Sequence, residues 1–419
     1  MPVLRRRSLL ALLAPAAAGR ARARATGPRT LVFWTMQLAP FHSDFVHGLI
    51  ARFEAQHAGV RVRWVDVPWS EMERKVLASL AAGTAPDVVN LNPQFSARLA
   101  ELGALADPRA HLDAPAIATY LPSAWSANEL AGVPFALPWY LSTTVTLARR
   151  DLLERAGQEV PRDFPALLRA AEALRTRTGS YAWFPALDGS APLEAMVAMT
   201  GSLLSPDRCR PAFEGAPGES VFAFYRELYA RRWIPPSVLT EGHRSAVAQF
   251  LAGQVAMVST GMQFIGQLRS GHPALHAQVV AVPQWLAGAA RPNIAAMNLA
   301  VPQASREPAL AFEFARFVTG PASQLELVRR VPLLPSTRAS YDDPLFQRPG
   351  GDALLDAARA ISVRQVFDGV VQVPPMRRYH KLRTSFVRAL HGCMLGRMPP
   401  RAAVQEVVRE WLPLLGCAA

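Results

Sequence analysis

The sequence predicts an α/β protein with a parallel, doubly wound sheet. Short apolar, β-branched stretches alternate with amphipathic helical ones from Leu31 onward. Half of the 419 residues are hydrophobic and only 18% are charged, which suits a large packed core. The chain shows no internal repeat and no long low-complexity linker. Strands joined by helices imply parallel pairing, and ligands of such sheets meet the carboxyl ends of the strands.

Leu31–Trp34 reads as the first strand. A helix follows with Phe45, Val46, Leu49, Ile50 and Phe53 on one face, and Gly59 ends it. The alternating "VRVRWVDV" is the second strand. The next helix opens on a capping box, Ser70 to Glu73, and closes on Gly83. "TAPDVVNLNP", Thr84 to Pro93, is a short buried strand ending in two amides, Asn90 and Asn92, and a helix runs from Ser96 to Leu102. Past a loop carrying Pro138, Trp139 and Tyr140, "TTVTLA" is another strand. Helices are expected over Phe164–Thr176, Leu193–Leu204 and Ser220–Arg231. "QFLAGQVAMVSTGMQF" reads as helix end, strand and turn, and "IAAMNLAVPQ" as a strand. Helices over Arg306–Val318 and Ser323–Arg330 follow, then two amphipathic helices between Lys381 and Leu415.

The formal net charge is +13, nearly all from arginine, since Lys75 and Lys381 are the only lysines. Six arginines fall in the first 25 residues and the rest are scattered among acids, without the basic, aromatic face of a nucleic-acid binder. The chain begins with a basic stretch, Arg5–Arg7, an apolar run, Leu9–Ala18, and small residues. That order predicts an export signal over residues 1–25; the run is too short to span a bilayer. Arg6-Arg7-Ser8-Leu9-Leu10 fits a twin-arginine signal as well as an ordinary secretory one. The three cysteines, Cys209, Cys393 and Cys417, have neither zinc nor redox spacing, and none follows the signal to carry a lipid. A Cys393–Cys417 bridge and free thiols are both consistent with the sequence.

Motifs for catalysis are missing: no G-x-S-x-G, H-E-x-x-H, Walker loop or G-x-G-x-x-G occurs. Asp66, Asp87 and Glu194 could form a glycosidase pair. Asp87 reads better as a turn residue beside Pro86, and Glu194 as the acid of a helical first turn. Trp34, Trp69, Trp139, Trp183 and Trp285 instead fall at loop or strand ends. Flat aromatic faces stack on sugar C–H faces, and amides both donate and accept to hydroxyls. Each tryptophan is equally readable as core filler, and Asn92 before Pro93 as a helix cap.

Taken together the chain resembles the family 1 extracellular solute-binding proteins of ABC transporters, the sugar-binding group that includes maltose-binding protein. The resemblance rests on "LVFWTM", "IARFEAQHAGVRVRWVDVPW", "AAGTAPDVVNLNP", "GVPFALPW", "DLLERAG" with Pro161, "FLAGQVAM" and "SREPALAFEFARFVTGPASQ", in that order. Departures include Leu147-Ala148 in place of Tyr-Asn and Gly261-Met262-Gln263-Phe264 in place of Gly-x-Trp. The resemblance implies a two-lobed periplasmic-binding-protein fold, with a ligand cleft between lobes and several chain crossovers. An N-terminal lobe over 28–140 and 292–338 and a C-terminal lobe over 141–291 and 339–419 are expected. It implies an exported, monomeric, non-catalytic protein that delivers a carbohydrate to an ABC permease, with no cofactor, metal or nucleic acid. Its motif positions map the pocket onto Trp34, Gln37, Trp69, Asn92, Trp139, Tyr140, Ser142, Trp183, Gln263, Phe264, Met297, Asn298 and Arg377, with Tyr379 as an alternative to the last. Rival readings are the same fold holding a phosphorylated polyol or other anionic solute, a secreted glycan-cleaving enzyme, and a sensory or structural exoprotein.

Overall fold

The computed structural model describes residues 29–416; the expected signal segment and Cys417 lie outside them. Twelve strands are found among the described residues: β1 (Arg29–Met36), β2 (Val60–Val67), β3 (Val88–Leu91), β4 (Glu129–Leu130), β5 (Val133–Pro134), β6 (Leu137–Thr143), β7 (Val145–Arg149), β8 (Tyr181–Trp183), β9 (Val255–Thr260), β10 (Val279–Pro283), β11 (Ile294–Ala300) and β12 (Leu334–Pro335). They form a six-stranded sheet in the order β12-β6-β11-β3-β1-β2, a four-stranded sheet in the order β10-β7-β9-β8, and the small β4-β5 ribbon. This is the two-lobed α/β architecture that the sequence implied.

The parallel pairing expected throughout holds only in part. β2, β1 and β3 are parallel neighbours, because each is followed by a helix that returns the chain to the same end. β11, β6 and β12 join antiparallel, and β7 pairs antiparallel with both β9 and β10. Because β8 pairs parallel with β9, both sheets are mixed. The six-stranded sheet is packed on both faces. Leu31 and Phe33 of β1 point into a core with Phe45, Phe53, Trp139 and Phe314. Trp34 and Met36 face a second one with Val76, Leu91 and Phe95. The strand period of two thus splits one strand between two cores.

The chain leaves the six-stranded sheet after Thr143 and enters the four-stranded sheet at Val145, so one residue, Thr144, carries it across. It returns between β10 and β11. The larger core underlies the four-stranded sheet and takes in the two C-terminal helices, Tyr379–Met394 and Pro400–Leu415, which bury Phe386 and Trp411.

Two local expectations fail. The helix after β2 starts at Trp69 behind Pro68 with no side-chain cap, so Ser70 lies inside its first turn and forms no capping box. Cys393 is a buried free thiol and Cys209 is disulfide-bonded, so the bridge considered between Cys393 and Cys417 does not form.

Candidate functional site

A pocket of about 360 Å³ opens where the crossing segments meet the four-stranded sheet. Ser142, Thr143 and Thr144 enter from the first crossing, and Asn293 and Ala295 from the return. The end of β8 supplies Trp183, and the helix Ala191–Thr200 supplies Glu194, Ala195 and Ala198. Phe164, Asp188, Tyr225, His243, Thr260, Gly261, Gln263, Gln284 and Trp285 also line it.

The wall has an aromatic side. Trp183 and Trp285 meet edge to face at 5.6 Å, Phe164 meets Trp285 at 6.2 Å, and Trp183 and Tyr225 lie 6.3 Å apart. The Trp285 indole donates to the Pro161 carbonyl at 3.0 Å, so its position is fixed from behind. The Trp183 Nε1–H is buried and has no protein acceptor, and neither has the Thr143 hydroxyl an acceptor or donor partner. Buried donors without partners cost about 1–3 kcal/mol each unless something else accepts from them. Both residues line the pocket.

The rest of the lining includes polar groups. Glu194 Oε1 accepts from Ser190 Oγ at 2.6 Å, and Asn293 also hydrogen-bonds this carboxylate. Burial pushes the Glu194 pKa up, and these hydrogen bonds only partly offset it. Asp188 accepts from the His243 backbone N–H at 3.1 Å, at the start of the helix His243–Leu251. Gly242 makes that approach feasible: a Cβ there would sit 2.2 Å from Asp188 Oδ2. The His243 imidazole meets Thr260 Oγ1 at 3.0 Å although the residue as a whole stays exposed, and burial of the ring lowers its pKa.

An amide network ties this wall to the crossings. Gln365 Nε2 donates to the Thr144 carbonyl at 2.8 Å, and its Oε1 accepts from the Gln284 backbone at 3.0 Å. Gln284 Oε1 accepts from Asn293 N at 2.8 Å, while Asn293 Oδ1 accepts from Gln372 N at 3.1 Å. Gln372 Nε2 closes the chain on the Arg291 carbonyl at 2.8 Å.

Of the residues singled out in the sequence, Ser142, Trp183 and Gln263 from the mapped pocket are brought together here, with Trp285 and Glu194, which stood out on other grounds. The others are not. Trp139 is 1% exposed and packs at 6.4 Å from Phe33 in the core of the six-stranded sheet, so it is a structural plug. Tyr140 stacks edge-on against Trp139 and packs on the same core. Phe264 is 6% exposed, inside the core of the other sheet. Trp34 and Met297 pack on the second face of the six-stranded sheet. Asn92 caps the helix Pro93–Glu101, accepting from Phe95 N at 2.8 Å. Asn298 is fully buried: Ser96 Oγ donates to it at 2.9 Å, and its Nδ2 donates to Asn128 at 2.8 Å. Asn90 donates to the Asn298 carbonyl at 3.0 Å, so this amide cluster pins β3 to β11 beside the register shift at Met297/Asn298. Gln37 and Trp69 are exposed beyond the carboxyl ends of β1 and β2, off this pocket, and Arg377 is exposed elsewhere. Tyr379 touches only the rim, its hydroxyl 3.5 Å from the Gly189 carbonyl.

The lining residues Phe164, Tyr225, His243, Gln284 and Asn293 had no distinguishing signal. Trp285 had one, its place just past an apolar strand. The other two carboxylates weighed for hydrolysis are occupied. Asp66 accepts from Thr35 Oγ1 and the Leu38 and Ala39 amides; Asp87 accepts from Val32 N and Ser305 Oγ.

Residues 42–325 match the bacterial extracellular solute-binding proteins. The chain belongs to that family. A crystal structure of an inferred oligosaccharide periplasmic-binding protein from Synechococcus sp. MITs9220, in complex with zinc, superposes on this solute-binding protein with a TM-score of 0.86. The two are 33% identical, over 92% of this chain and 98% of that one. A lipoprotein from Streptomyces antibioticus is 27% identical over 407 residues, covering 92% of this chain and 89% of its own. The mannitol-binding protein of Pseudomonas aeruginosa is 26% identical over 390 residues, covering 85% and 88%. Among the described residues no cluster of three or more His, Cys, Asp or Glu is placed to hold a metal ion, and no helix is long and apolar enough to cross a membrane.

Proposed function

We propose that this solute-binding protein holds a carbohydrate in the pocket around Trp183 and hands it to an ABC permease, without chemical conversion. The single observation that supports this most is the composition of the wall. Aromatic side chains share the lining with amides, hydroxyls and two acids, and the unpartnered Trp183 and Thr143 groups are left for a ligand rich in hydroxyls. A phosphorylated polyol or other anionic solute is the weaker reading, because no lysine or arginine lines the pocket. The relatives described as oligosaccharide- and mannitol-binding agree with a polyhydroxy solute.

In this reading the protein works as an exported monomer in the periplasm or outside the cell. Its N-terminal lobe takes residues 29–143 and 292–338 and its C-terminal lobe 145–291 and 339–416, with the first crossing at Thr144 rather than the expected 140/141. Closure of the lobes would bring Gln37 and Trp69 over the ligand. The test is a thermal-shift screen of the mature protein against sugars and polyols, mannitol included, because a solute that binds only the folded state raises its melting temperature. Shifts with sugars and none with glycerol phosphate are expected; the reverse pattern refutes the reading.

A further inference from the structure

The chain carries 45 lysines and arginines against 32 acids, yet the lining of the pocket reverses that balance. Its lining holds two acidic side chains, Asp188 and Glu194, and no lysine or arginine. Among the described residues no lysine, arginine or histidine side-chain nitrogen lies in an ion pair with either carboxylate. Arg383, which reaches the Leu187 and Gly189 carbonyls next to this wall, donates to them instead. His243 does not supply a cation either, since burial of its ring favours the neutral form.

The helices Ala191–Thr200 and His243–Leu251 both start at the pocket, and such helix starts attract anions. Each is already answered by one of these acids. Asp188 takes the His243 amide, and Glu194 sits in the first turn of its own helix. Among the described residues Asp188 Oδ2 has no hydrogen-bond partner, Glu194 is met only by the neutral Ser190 and Asn293, and Trp183 and Trp285 line the same pocket. A partly buried carboxylate without a counter-charge is costly, and aromatic faces attract cations.

Resting on the carbohydrate reading above, we infer that the preferred ligand is an amino sugar. Its protonated amine sits against Glu194 and Asp188, and its hydroxyl oxygens accept from Trp183 Nε1. The amine then supplies the charge that the protein omits, in a charge-assisted hydrogen bond. The upward push that burial gives the Glu194 carboxyl is relieved when the amine arrives.

The test is calorimetry at neutral pH with matched pairs that differ in one group: glucosamine and glucose, galactosamine and galactose, fully deacetylated chitobiose and cellobiose. In a pair that binds, the amine member is expected to bind about tenfold more tightly or better. In Glu194→Gln that ratio should fall to about threefold or less, because the amide keeps the shape and loses the charge. The ligand-free melt confirms that the variant folds; Asp188→Asn, which can still accept from His243, provides the same reading if Glu194→Gln does not. A neutral member that binds as tightly as its amine partner overturns the inference and leaves the carbohydrate reading standing. Binding of no sugar in any pair overturns the inference, and if glycerol phosphate binds instead, the carbohydrate reading falls with it.

Discussion

Trp183→Phe separates the two roles a pocket tryptophan can play. The residue is 7% exposed, held edge to face by Trp285 at 5.6 Å and beside Tyr225 at 6.3 Å. Its Nε1–H has no acceptor in the protein. Phenylalanine keeps an aromatic plate and deletes the donor. In the ligand-free protein two effects oppose each other. The smaller ring leaves a void costing about 1 kcal/mol per methyl-sized gap. Removing a buried, unpaired donor relieves about 1–3 kcal/mol. The ligand-free stability should therefore move little. In the complex the variant loses one hydrogen bond, about 0.5–1.5 kcal/mol, or roughly two- to tenfold in affinity. Calorimetry with the sugar giving the largest thermal shift, and denaturant unfolding without ligand, are measured on the same protein. Unchanged affinity with unchanged stability refutes the assignment of Nε1 as a ligand donor. A large loss of stability with native affinity shows that Trp183 is core and not wall.

Trp139→Ala should have the opposite profile, because that indole is sealed in the core of the six-stranded sheet. A loss of about 3–5 kcal/mol in denaturant unfolding is expected, with ligand affinity retained at low temperature. Asn298→Ala strands Ser96 and Asn128 in a fully buried cluster and should cost about 1–3 kcal/mol, again without a direct effect on binding. Burial lowers the His243 pKa below its ordinary 6.5, so the unfolded chain binds the proton more readily. The resulting stability is fully present above pH 6.5 and is lost as pH falls through 6.5 toward the folded value. His243→Gln should flatten that part of the pH–stability curve, and an unaltered slope contradicts the assignment.

The helices were legible wherever an apolar stripe could be read. Phe45, Val46, Leu49, Ile50 and Phe53 form the buried face of Ser43–Gln56, as their spacing indicates. The helix Ala353–Asp368 escaped because its buried positions include Ala358, Ser362 and Gln365, which write no such stripe. Those polar residues are buried for a reason a sequence does not display: Gln365 serves the crossing at Thr144. The strand amides were legible as special and misleading in role. Asn92 is a cap, and Asn90 and Asn298 are rivets between strands. Whether a tryptophan at a strand end is a plug or a wall depends on which sheet face it leaves from. Trp139 lies within β6 of the six-stranded sheet and Trp183 at the end of β8 in the other, yet composition and spacing treat them alike.

The network of Gln284, Gln365, Gln372 and Asn293 gives the site a mechanical meaning beyond its lining. Its bonds fall on Thr144, the one residue between β6 and β7, and on Arg291 and Asn293, which lead into β11. Those are the segments by which the chain passes between the two sheets. Gln284 and Asn293 also line the pocket. A ligand that engages either amide competes for hydrogen bonds that hold the crossings, so occupancy and the geometry of the connection are coupled through shared donors and acceptors rather than through distance. Such coupling is what a two-lobed binding protein requires if a solute held by one lobe is to favour closure of the other. It also explains why these positions are amides: glutamine and asparagine each donate and accept, so one side chain can answer the backbone and the solute in turn.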